Sequence, residues 1–142
     1  MIDVNFEGAG FFLIHPTTNL LLTLVDNSGF YDLPKGVKEE NESPLSAAKR
    51  ECFEECSILI EESEMMDCGP FFDGRLILFC AETVKQPAII RNQKSGIIEH
   101  LGYKWVNPND FLNNCRPFLK PIVRKIFKEL SKRAHPLTNG YI

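Results

Sequence analysis

The sequence predicts a mixed α/β domain, on three observations. Short apolar runs are separated by turn residues, Ser43-Pro44 opens a stretch of helical periodicity, and residues 117–133 carry a second apolar stripe at helical spacing. In chain order, residues 9–14 and 19–25 are apolar runs flanking His15-Pro16-Thr17-Thr18, a strand pair or meander. Asp26-Asn27-Ser28-Gly29 is a turn, and residues 30–36, with Pro34 and Gly36, read as an irregular loop. Ser43 is a strong N-cap and Pro44 suits the first helical position, so a helix runs from there to Cys56 or Ser57. Residues 58–61 and 75–82 read as strands separated by a loop around Gly69-Pro70. Residues 85–98 form a loop with a basic patch at Arg91 and Lys94, and residues 103–106 are the last strand. Pro108 begins a short helical turn. The final helix then places Ile122, Val123, Ile126, Phe127 and Leu130 on one face. Residues 135–142, with Pro136 and Asn139-Gly140, predict a loose tail, and nothing divides residues 1–142 into more than one domain.

Composition bounds the function. With 44% hydrophobic and 25% charged residues, a chain of 142 can bury a core of its own. A formal charge of −3 gives no global attraction to nucleic acid or an anionic membrane. The longest apolar runs are too short to span a bilayer, and the N-terminus lacks the basic and apolar regions of a secretory signal. Five cysteines without a CxxC pair point to a reducing compartment, so the expected location is the cytoplasm. Cys52 and Cys56, four apart, read as two small buried residues on one helix face rather than as part of a soft-metal site. The acids, however, are crowded between Glu39 and Glu64, which asks for a local explanation.

On a helical wheel, Leu45, Ala48, Cys52, Cys56 and Leu59 form a core stripe, and Glu51, Glu54 and Glu55 gather beside it at i, i+3 and i+4. Like charges at those spacings cost a helix roughly 0.2–0.5 kcal/mol per pair, which Arg50 offsets only in part. A solvated acidic face is one reading. Because the stripe adjoins the core margin, the other is a set of converging oxygens for a hard cation such as Mg²⁺.

Residues 36–58 resemble the Nudix box, through Gly36, Glu42, Arg50, Glu51, Glu54, Glu55 and Ile58 at that motif's spacings. Cys52 fills an aliphatic slot, and Ser57 stands where the family usually has glycine. The resemblance implies an α-β-α sandwich with a central mixed β-sheet and a Mg²⁺- or Mn²⁺-dependent phosphohydrolase. It implies Glu51, Glu54 and Glu55 as metal ligands, with Glu51 alternatively orienting the attacking water. The backbone carbonyl of Lys35 joins them as a further ligand, and Arg50 holds Glu51 or Glu54 in place. Glu42 binds a second metal or secures the loop, and Gly36 supplies a sharp turn.

The box fixes the bond cleaved and not the molecule. Lys35 before Gly36 resembles Nudix members acting on dinucleoside polyphosphates, on RNA 5′ ends and on diphosphoinositol polyphosphates. Residues 98–105, with Glu99-His100 and then Tyr103-Lys104-Trp105, look similar to the corresponding stretch of diadenosine tetraphosphate hydrolases, which makes Glu99 a candidate base or metal ligand. His100, Tyr31, Arg75 and the side chain of Lys35 are candidate contacts to substrate. The Phe71-Phe72-Asp73-Gly74 turn is a candidate aromatic clamp, and Trp105 reads as core. The expected substrate is a small nucleoside polyphosphate such as diadenosine tetraphosphate, with an RNA 5′ end or a diphosphoinositol polyphosphate as alternatives. Two other classes compete: a non-catalytic Nudix module that binds nucleotide or RNA, and a partner-binding scaffold. No oligomeric state can be read from the sequence.

Overall fold

The computed structural model describes residues 6–89 and 100–132. Its centre is β1 (Gly8–Ile14), which runs parallel to β6 (Leu76–Glu82) from Gly8 opposite Leu76 to Ile14 opposite Glu82. On its other side β1 meets β4 (Lys35–Val37) at one end, antiparallel, and β2 (Leu21–Asp26) at Ile14. β2 carries β3 (Tyr31–Asp32) and β7 (His100–Val106), both antiparallel, and β5 (Phe71–Asp73) forms a hairpin with β6. The sheet is therefore mixed.

β1 is apolar on both faces because helices cover both. Phe11 and Leu13 pack with Leu22, Leu24, Ala47, Ala48, Cys52 and Cys56 against α1 (Pro44–Cys56). Phe12 and Ile14 point the other way, to Phe111 of α2 (Pro108–Asn114) and to Ile122, Val123, Ile126, Phe127 and Leu130 of α3 (Lys120–Lys132). The result is the α-β-α sandwich with a central mixed sheet. No helix among the described residues is long and apolar enough to cross a membrane.

The helix signals act as expected. The Ser43 side chain accepts the Ser46 N–H at 3.3 Å, and Pro44 occupies the first turn. The helix ends when Ser57 enters the left-handed region (φ 62°, ψ 22°) and its N–H bonds the Phe53 carbonyl at 2.8 Å. That ending resets the phase of the chain. Ile58 and Ile60 turn inward while Leu59, expected on the core stripe, is exposed, and residues 58–61 pair with no strand among the described residues. Two other expectations are corrected. Residues 30–36 contain β3 and β4 instead of an irregular loop, and β7 begins at His100 rather than at residue 103. β4 and β7 are ordered by distant strands, β1 and β2, which local composition does not reveal, and β3 is the return arm of a tight hairpin with β2. The final helix also starts later, after a 3-10 turn at Pro117–Leu119.

Candidate active site

Gly10 and Gly36 bring β4 close to the sheet and to α1. A Cβ at Gly10 would collide with Lys35 and the Pro34 carbonyl, and one at Gly36 would collide with the Glu51 carboxylate. Gly36 is thus needed for close approach within an extended strand, not for the sharp turn expected of it. Across this seam the Lys35 N–H donates to Glu55 Oε1 at 2.9 Å, tying β4 to the helix.

Arg50 organises the glutamates. Its guanidinium donates from Nε and Nη2 to the two Glu42 oxygens at 2.7 and 2.9 Å. Nη1 donates to Glu51 at 2.8 Å and to Glu54 at 3.1 Å, and Nη2 also reaches the Val37 carbonyl at 2.9 Å. This planar fork suits several carboxylates at fixed angles. The bonds to Glu42, working against partial burial, and those to Glu51 hold the Arg50 pKa above its ordinary value. Glu42 accordingly secures the loop before α1 to the helix.

The third group lies beside Glu55 and Lys35. His100 is buried, with Nε2 3.4 Å from Asp32 Oδ2 and Nδ1 3.9 Å from Glu55 Oε2. Burial pushes the Asp32 pKa up, but the His100 bond, the nearby Lys35 charge and the Leu33 N–H outweigh it, so the carboxyl stays below its usual value. Lys35 Nζ pairs with Asp32 at 3.1 Å. Together these groups line a cleft of about 600 Å³ that also includes Asp26, Lys38, Glu39, Arg116 and Phe118.

The cleft thus unites Arg50, Glu51, Glu54, Glu55, Lys35 and His100 of the sequence-derived candidates. Tyr31 and Arg75 lie elsewhere. Tyr31 is drawn into the core, its ring 6.3 Å from that of Phe111. Arg75 pairs with Glu7 at 2.6 Å in a neighbouring hollow. Phe71 and Phe72 belong to β5 and pack on opposite core clusters, so they form no clamp over the glutamates. Trp105 packs against the α1-side core. Glu99, Arg91 and Lys94 fall outside the described residues. Asp26, Asp32, Arg116 and Phe118 were missed by sequence reasoning. Only Asp32 carried a signal, its place in the Asp-Leu-Pro-Lys-Gly run leading into the box.

A family model described as NUDIX domain matches residues 5–129. No curated protein gives a significant match. Among solved structures, the chain is similar to an Ap4A hydrolase of C. elegans in a binary complex, with TM-score 0.66 and 19% identity over 90% of this chain and 99% of that one. It is similar also to the MutT protein of Methanosarcina mazei Go1, with TM-score 0.63 and 17% identity over 91% and 98%. The dihydroneopterin triphosphate pyrophosphohydrolase of E. coli gives 0.64 and 18% over 84% and 95%. At these identities the likeness establishes a shared fold.

Proposed function

The chain belongs to the Nudix hydrolase family, and we propose that it is a Mg²⁺-dependent pyrophosphohydrolase of dinucleoside polyphosphates such as diadenosine tetraphosphate. The observation that carries this reading is the charge of the cleft. Asp26, Asp32, Glu39, Glu51, Glu54 and Glu55 line it against Lys35, Lys38, Arg50 and Arg116: six carboxylates to four cations. A polyphosphate would meet net repulsion there unless a divalent ion intervened.

The donors fit such an ion by chemistry. Glu51, Glu54 and Glu55 offer oxygen alone, which suits Mg²⁺ or Mn²⁺. Among the described residues no three acidic, histidine or cysteine side chains form a ready coordination cage. Glu51 and Glu54 are turned to Arg50, and Glu54, with its side chain 38% exposed, has the most freedom to swing toward an ion. The Lys35 carbonyl is assigned as a further ligand on the family pattern. When bound, the ion would neutralise phosphoryl charge and make water acidic enough to deprotonate near neutral pH.

The chain's own groups do the positioning. Arg50 sets the angle of Glu51 and Glu54, the Lys35 N–H sets Glu55, and His100 joins Glu55 to Asp32. Lys35 and Lys38 line the same cleft and would supply positive charge for the phosphates. The water oxygen bonds to one phosphorus, the phosphoanhydride bond breaks, and a nucleotide leaves with the bridging oxygen. Catalysis of this kind is chiefly charge stabilisation and alignment.

Product analysis with Mg²⁺ tests the assignment, comparing the natural chain with Glu55→Gln. The substrates are diadenosine tetraphosphate, capped and triphosphorylated RNA, diphosphoinositol polyphosphate, ADP-ribose and a nucleoside triphosphate. Cleavage of diadenosine tetraphosphate that Glu55→Gln abolishes is the expected result. No cleavage of any substrate would move the chain to the binding-module class.

A further inference from the structure

We infer that the exposed face of α3 is a track for single-stranded RNA that leads into the carboxylate cleft. The inference rests on the dinucleoside polyphosphate reading and narrows it. One of the two nucleosides then carries an RNA chain, as at a capped 5′ end. Arg116 lines the cleft, and Lys120, Arg124, Lys128 and Lys132 follow it at every fourth residue. On an α-helix that spacing sets side chains one above another, with a rise of about 6 Å per step. The core stripe of Ile122, Val123, Ile126, Phe127 and Leu130 lies opposite, so the cations form a ridge on the solvent side. Arg124, Lys128 and Lys132 are exposed, and Lys120 is half-buried.

The ridge has one sign of charge. Glu129 is the only acid between Lys120 and Lys132. Lys120, Arg124 and Lys128 form no ion pair among the described residues, whereas Lys125 on the flank donates to the Phe72 carbonyl at 2.9 Å. The near end of the ridge adjoins the cleft. Burial pushes the Cys115 thiol up, the Lys120 and Arg124 charges act against it, and Asp32 in the cleft adds to it. The net charge of −3 hides this face, because the acids are crowded between Glu39 and Glu64. Evenly spaced cations suit a chain that repeats one negative charge per nucleotide. A lipid surface would ask for apolar side chains beside the cations, and the five large apolar residues of α3 are all buried.

Fluorescence anisotropy in Mg²⁺ tests this, with a 3′-labelled oligouridylate that carries either a methylene-bridged guanosine cap or a 5′-hydroxyl. For the natural chain, log affinity for the capped strand should fall against log salt with a slope of about −3, as four phosphate contacts require. Lys120→Gln, Arg124→Gln and Lys128→Gln combined should weaken that strand by roughly tenfold or more and flatten the slope by about two. The circular dichroism of this variant, and its turnover of diadenosine tetraphosphate, should match those of the natural chain. Equal affinity of the two proteins for the capped strand overturns the proposal. So does a 5′-hydroxyl strand bound as tightly as the capped one, which would detach the track from the cleft. Loss of binding to phosphatidylserine vesicles in place of RNA would assign the face to lipid and overturn it too. The hydrolase assignment fails separately, through absence of turnover by the natural chain on every substrate.

Discussion

Arg50 and Lys85 each stand among glutamates, one in the cleft and the other beside the 3-10 turn Glu62–Glu64. The acids around them look alike in sequence, since Glu51 and Glu54 are three apart and so are Glu61 and Glu64. The structures they make differ. Arg50 spreads a planar fork over Glu42, Glu51, Glu54 and a carbonyl, on a helix whose next stripe is buried core. Lys85 brings a single ammonium to the Leu59 carbonyl at 2.7 Å and Glu64 at 3.0 Å, and Thr83 donates to the other Glu64 oxygen at 2.6 Å. That second cluster clasps the chain after α1 to the end of β6. An acidic cluster alone therefore says little. A fork that aims several carboxylates at one cleft separates a reactive site from a clasp.

Exchanging the cations should give the largest effect. Arg50→Lys removes the fixed fork and should lower kcat by about a hundredfold, as expected when reacting groups shift by an ångström. Lys85→Arg should leave kcat unchanged. Equal loss in both variants, measured as formation of the nucleotide products, would erase the distinction. Gly36→Ala should come next, with kcat down by roughly tenfold to a hundredfold because the new methyl displaces the Glu51 carboxylate. Circular dichroism at matched temperature would show whether the fold survives.

Metal should discriminate between the clusters without any turnover. At Mn²⁺ about a hundred times its Kd, thermal denaturation should show stabilisation of about 2.7 kcal/mol. Glu54→Gln should reduce this shift sharply, and Glu64→Gln should retain it. The smallest effect is at the clasp itself. Burial raises the Glu64 pKa, but the Thr83 and Glu61 hydrogen bonds and Lys85 bring it below the ordinary carboxyl value. A depressed folded pKa adds stability above the ordinary value, and that stability is lost as pH falls through the folded one. Glu64→Gln should therefore cost about 1 kcal/mol at neutral pH, and the deficit should shrink in acid. Chemical denaturation at several pH values would reveal a constant deficit if the carboxylate were irrelevant.

What was legible in the sequence is what is local. The Ser43-Pro44 helix start, the three glutamates beside an apolar stripe and the α3 face follow from spacing within one segment. Asp32 and His100 are 68 residues apart and meet only because β3 and β7 both pair with β2. Arg116 reaches the cleft through its N–H bond to the Tyr31 carbonyl and its ion pair with Asp26. Tyr31 is a candidate substrate contact by sequence, yet its place in β3 turns the ring toward α2. Such facts belong to strand pairing, which no window of sequence contains.

Ser57 closes α1 in a backbone geometry that a side chain adopts at a cost of about 1 kcal/mol relative to glycine. That cost can be removed without touching the cleft. Ser57→Gly should raise the midpoint of chemical denaturation with no change in its slope, and so provide a sturdier host chain. Cleft variants that would otherwise be lost to aggregation could then be purified and assayed as folded proteins. A serine at the end of one helix thereby sets how far the rest of the site can be explored by mutation.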